Sequence, residues 1–109
     1  MTITVLDVAS VQAARDGAAS VRRFLTNATV GARLVEGGAY ELSAGERLTV
    51  EPSDRHQVVY VTAGEVSADF QGELHRLRPG GGVYCEPDEG CELEATGDAA
   101  FYRFTVARS

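Results

Sequence analysis

Five side chains between residues 51 and 91 carry the groups that could do chemistry: the carboxylate of Glu51, the hydroxyl of Ser53, the amide of Gln57, and the thiols of Cys85 and Cys91. A carboxylate moved into apolar surroundings has its pKa raised, which suits it to take or give a proton near neutrality. A thiol acts as a nucleophile or second acid only when something depresses its pKa, and no residue of the sequence stands out for that role. The Gln57 amide suits orienting a ligand or a neighbouring side chain, and Ser53 suits a positioning donor. His56 and His75 read as exposed or interface residues, and Asp54-Arg55 and the acidic run Glu86 to Glu92 as solvated loop charges.

The elements that must hold these groups are strands. From residue 19 onward, short β-branched and apolar runs alternate with turn residues, which is the all-β pattern. The expected strands are Ala19 to Thr26, Ala32 to Val35, Gly38 to Leu42, Arg47 to Val50, His56 to Ala63, Glu65 to Phe70, Glu73 to Leu77, Gly82 to Glu86, Glu92 to Thr96 and Ala100 to Val106. Turns are expected at Glu36-Gly37, Ala44-Gly45, Ala63-Gly64, Gln71-Gly72, Pro79-Gly80-Gly81, Asp88-Glu89-Gly90 and Gly97-Asp98, where glycine permits positive φ. Ahead of them, Asp7 to Arg15 can form one or two helical turns, with Ser10 as N-cap and Asp16-Gly17 as the stop. Ten short strands at this spacing predict a sandwich or barrel. Strand parity puts Glu51 with Ser53 on one face, Gln57 with Val59 and Val61, and Val83 with Cys85, while Cys91 begins the return strand opposite them.

Two glycine-bounded stretches carry a family signature. Gly45 to Gly64 has the spacing of the first cupin motif, G-x5-H-x-H-x3-E-x6-G, with Glu51, Ser53 and Gln57 at the three ligand positions. Fifteen residues separate Gly64 from Gly80, which opens a stretch spaced like the second motif, G-x5-P-x-G-x2-H-x3-N, with Cys91 at the fourth ligand position and the motif covering about residues 80–95. The chain thus resembles a small single-domain cupin. The resemblance implies a double-stranded β-helix (jelly-roll) barrel over one domain, residues 1–109, with a short N-terminal helical turn. It also implies that Glu51, Ser53, Gln57, Cys85 and Cys91 converge inside the barrel.

The chemistry at those positions departs from the family's. A cupin metal site uses three imidazoles and one carboxylate, and no imidazole stands at any of the four positions, so no metal and no cofactor is expected. The metal alternative is an atypical site using Glu51 and Cys91, with Cys85 a possible third donor suited to zinc; otherwise Cys85 is a small buried apolar residue. Tyr40, Tyr60, Tyr84 and Tyr102 are expected to line or close the barrel. On the last strand Tyr102 and Phe104 oppose Phe101 and Arg103 in parity, and either pair could face inward. Arg33 could anchor a carboxylate or phosphate, or be an ordinary surface arginine.

Composition narrows the partners. At 109 residues the chain can build one core. A net charge of −6, with arginines scattered, argues against nucleic acid and anionic membrane. The longest apolar stretches fall far short of a membrane span and the N-terminus lacks a signal-peptide pattern, which predicts a cytoplasmic protein. Two cysteines are too few for a disulfide scaffold. The Ala-, Gly-, Val- and Arg-rich, lysine-free composition suggests a bacterial source.

The expected function is therefore a metal-independent enzyme acting on a small polar metabolite by proton transfer, a lyase or isomerase of the dehydratase, isomerase or cyclase type. Glu51 and Cys91 would be catalytic, and Ser53, Gln57, Arg33, Tyr40, Tyr102 and Phe104 would bind substrate. The alternatives are a non-catalytic small-molecule-binding or sensing module and the atypical metal site. A homodimer is expected, because Val58, Tyr60 and Thr62 face away from the cavity and offer an apolar surface.

Overall fold

A computed structural model of the chain describes residues 8–26 and 35–107. Among these residues a 3-10 turn, Val8–Ser10, leads into ten strands: β1 Ala14–Asp16, β2 Ala19–Leu25, β3 Val35–Leu42, β4 Arg47–Val50, β5 His56–Ala63, β6 Val66–Phe70, β7 Glu73–Leu77, β8 Gly82–Cys85, β9 Cys91–Ala95 and β10 Ala99–Val106. They form two antiparallel sheets, one ordered β1-β2-β3-β10-β5-β8 and the other β4-β9-β6-β7. This is the jelly-roll barrel of the cupins. The two sheets close on a core that includes Val21, Leu42, Val50, Val59, Val61, Val66, Leu93 and Phe101.

Alternation within each strand decides what reaches that core. In β4 the residues Leu48 and Val50 are buried while Arg47 and Thr49 are exposed, and in β9 Cys91, Leu93 and Ala95 are buried. The β4–β9 ladder sets Val50 opposite Cys91 and Leu48 opposite Leu93, so the buried faces coincide. Each side chain removed from water this way contributes roughly 1.5–3 kcal/mol for a Val or Leu.

Two expectations about local structure are corrected. The helical turns over 7–15 reduce to the 3-10 turn, and Ala14–Asp16 pairs instead with Ala19–Val21 as a hairpin through Gly17. The turn expected at Glu36-Gly37 is continuous strand. There the glycine serves close approach, because a Cβ on Gly37 would lie 2.6 Å from the Phe104 ring of the neighbouring strand. The strand expected at Ala32 to Val35 lies outside the described residues but for its last. Gly64 is a true turn glycine, with φ of 73° and the Asp98 carbonyl 2.3 Å from where its Cβ would be. Asp88 also takes a left-handed φ, 71°, at the position that the second cupin motif gives to glycine.

Candidate functional site

A cavity of about 590 Å³ opens between the free edges of the two sheets, lined by residues of both β7 and β8. Ala68 and Phe70 from β6, Leu77 from β7 and Val83 from β8 form an apolar wall, with Cys85 and Cys91 at its base and His75, Arg76, Tyr84 and Glu89 also lining it. The thiols meet because β8 ends at Cys85 in one sheet while β9 starts at Cys91 in the other, joined by the loop 86–90. That loop is fixed by its own polar groups: the Glu86 N–H donates to the Glu89 carboxylate at 2.9 Å, and the Asp88 N–H donates to the Ser53 carbonyl at 2.6 Å.

Both thiols are free and buried. Desolvation pushes the Cys91 thiol up to about 12, helped by the neighbouring Cys85. Cys85 is raised too, first by burial and also by the Glu89 carboxylate. The contact between the two thiols acts in opposite directions, lowering Cys85 and raising Cys91. The Arg103 guanidinium opposes both shifts without overcoming them.

Arg103 is the residue that sequence reasoning left undecided. β10 buries Phe101, and Arg103 follows it inward by parity, its side chain only 17% exposed. Its Nη2 donates to the Gln57 carbonyl oxygen at 2.7 Å and its Nη1 to the Tyr40 hydroxyl at 3.4 Å, with Asp16 at 3.5 Å. Its Nε is buried without a partner. Tyr40 stacks on Phe101, centroids 5.3 Å apart, and bonds Asp16 at 3.1 Å. Burial raises the Tyr40 hydroxyl, against the pull of Arg103.

The candidate residues do not all converge. Gln57, 1% exposed, is interior as expected, but both ends of its amide are spent on structure, since its nitrogen donates to the Glu51 carbonyl at 2.8 Å. Cys91 and Cys85 share the large cavity. Tyr40 lines a separate cavity of about 210 Å³ with Asp16, Arg23 and Arg103. Ser53 is half-buried and holds its own loop, accepting from the Arg55 N–H at 3.1 Å. Arg33 lies outside the described residues.

Glu51 corrects the interior reading, because its side chain is exposed. Leu48 and Val50 fill the inner face of β4, so the next residue points outward, and parity cannot be carried across the irregular stretch 51–55 to Gln57. Tyr102 and Phe104 are likewise corrected: with Phe101 and Arg103 inward, they stand on the outer face and pack edge-on against Phe24, centroids 5.7 and 6.1 Å away. Tyr60 and Tyr84 are exposed on the same face, where the Tyr84 hydroxyl lies 2.5 Å from His56 Nδ1.

This arrangement does not fit a cupin metal. At the four ligand positions stand an outward carboxylate, a serine engaged in its loop, an amide bonded at both ends and a protonated thiol. Among the described residues, no three His, Cys, Asp or Glu side chains are grouped to hold an ion, and no helix is long and apolar enough to cross a membrane.

Residues 43–107 match the family of the AraC-like ligand binding domain. Among solved structures, a predicted oxalate decarboxylase from Thermotoga maritima superposes with a TM-score of 0.84 at 14% identity, over 95% of this chain and 99% of that one. The polyketide cyclase RemF from Streptomyces resistomycificus gives 0.81 at 16%, over 98% and 81%. The cupin domain of an XRE family transcriptional regulator from Enterobacter cloacae gives 0.72 at 18%, over 84% and 99%. At these identities the likeness shows the fold alone. No curated protein sequence matches the chain.

Proposed function

The chain belongs to the AraC-like ligand binding domain family, within the cupins, and from that membership we propose that it binds a small molecule in the cavity between β7 and β8. The observation that carries this reading is the cavity itself: about 590 Å³, walled by Phe70, Leu77 and Val83, with polar groups at His75, Arg76 and Glu89. Such a lining takes a molecule with an apolar body and one polar end. The reactive groups favour binding over proton transfer, because the thiols are held protonated and Glu51 faces solvent. A thermal-shift and calorimetric screen of small aromatic and aliphatic acids, alcohols and lactones tests it, with Val83→Phe narrowing the cavity. A ligand that stabilises the wild type and not this variant supports the reading; ligands that stabilise both equally overturn it.

The acid–base enzyme, a lyase or isomerase, is the second reading, favoured by two titratable side chains, His75 and Glu89, lining the same cavity. A polyketide cyclase and a regulator's cupin domain both share the fold, which supports either. Under this reading Glu89→Gln removes turnover while leaving ligand affinity nearly intact. The protein acts as a homodimer, pairing through the outer face of β10, β5 and β8. That face presents Val58, Tyr60, Tyr84, Tyr102, Phe104 and Val106 and no carboxylate, which lets two chains of charge −6 approach without like-charge contact.

A further inference from the structure

We propose that Cys85 and Cys91 form a redox dithiol in the cavity wall, which a low-molecular-weight disulfide entering the cavity converts to an intramolecular disulfide. Three features carry it. The two are the chain's whole complement of cysteine, so neither has another partner within the molecule. They belong to different sheets yet share one cavity, because the loop 86–90 turns β8 of the six-stranded sheet into β9 of the four-stranded one. Both line that cavity and each thiol acts on the ionisation of the other, so the two sulfurs are neighbours before any reagent arrives.

The contact between the thiols also orders the reaction. It lowers Cys85 and raises Cys91, so negative charge develops more readily on Cys85, while Arg103 favours the anion at both sulfurs. The minor fraction of Cys85 that has lost its proton, which grows as pH rises, attacks one sulfur of the reagent, R–S–S–R. That S–S bond breaks, the first R–S⁻ leaves and takes up the proton Cys85 had lost. Cys91 then loses its proton, attacks the Cys85 sulfur of the mixed disulfide, and expels the second thiolate, which is protonated in turn. Two thiols are oxidised by two electrons and one small disulfide is reduced to two thiols. The bond made in this way joins Cys85 of β8 to Cys91 of β9. It would tie the two sheets together at the cavity's base.

The test uses the full chain and bis(2-hydroxyethyl) disulfide, followed by intact mass and non-reducing peptide mapping. The wild type is expected to become lighter by two hydrogens, with Cys85 joined to Cys91 and no reagent retained. Cys91→Ser is expected to keep one hydroxyethylthio group on Cys85, whereas Cys85→Ser should react about tenfold more slowly. Wild-type protein that retains the adduct, cross-links between molecules, or stays unreacted over the same time overturns the proposal. A Cys85→Ser variant that reacts as fast as Cys91→Ser overturns the assigned order of attack.

Discussion

Arg103 and Gln57 hold each other inside the barrel: Nη2 of the one donates to Oε1 of the other at 2.7 Å, across the β10–β5 ladder. Gln57 is the one fully buried polar side chain of the described residues, and its other end closes on the Glu51 carbonyl. An amide is suited to this place because it accepts and donates at once, joining a buried cation to a backbone acceptor. The pair positions the charge that acts on both thiols. Gln57→Leu keeps the bulk and strands both partners. It is therefore expected to cost roughly 2–4 kcal/mol, seen as a lower denaturant midpoint at unchanged slope. A loss below about 0.5 kcal/mol would show that the two hydrogen bonds contribute nothing net.

Alkaline pH provides a second test. The Cys91 thiol is raised from an ordinary 9.0 to about 12, so the folded state holds its proton after the unfolded chain has released it. The contribution is complete below pH 9 and is lost as pH rises toward 12, where stability falls by up to about 1.4 kcal/mol per pH unit. Cys85 adds in the same direction, and Tyr40, raised from 10.0, adds above pH 10. Denaturant titrations between pH 8 and 11 should show this decline, and Cys91→Ala should flatten it. An equal slope in the variant would place the titration elsewhere.

The two motif glycines Gly45 and Gly64, the hairpin turns and most strand limits were legible because period-2 alternation and turn chemistry are local. Arg47–Val50, His56–Ala63 and Glu73–Leu77 match to the residue. Gly37 misled because a glycine needed for an aromatic ring on another strand looks, in sequence, like one needed for a turn. Glu51 misled because its family position suggested the interior while its own strand, with Leu48 and Val50 inward, said otherwise. Arg103 was readable in principle from Phe101, the more apolar member of the opposing pair. That two cavities divide the candidates, with Tyr40 in one and Cys91 in the other, depends on which side chains fill the space between, and no local pattern encodes that.

Glu51 also separates the readings of function. Among the described residues its exposed carboxylate has no hydrogen-bond or ion-pair partner, so Glu51→Gln is expected to shift stability by less than about 0.5 kcal/mol and to leave ligand affinity unchanged. Calorimetry against any ligand found for the cavity checks this. A turnover that falls roughly 10²- to 10⁴-fold in the variant would restore the carboxylate as the proton-transfer group and displace the binding reading.

The outer sheet face makes the last prediction. Phe24, Tyr102 and Phe104 form one aromatic cluster there, and Tyr60, 45% exposed, and Tyr84, 54% exposed, extend it along β5 and β8. A monomer leaves this surface in contact with water, whereas a two-fold pairing buries the same residues on both copies. Light scattering at micromolar concentration should therefore give about twice the chain mass. Tyr60→Glu places a carboxylate at the centre of the face and, by symmetry, sets two like charges against each other, which should return the protein to a monomer with its fold intact by circular dichroism. A wild-type monomer, or a variant that stays dimeric, would move the interface away from β10, β5 and β8.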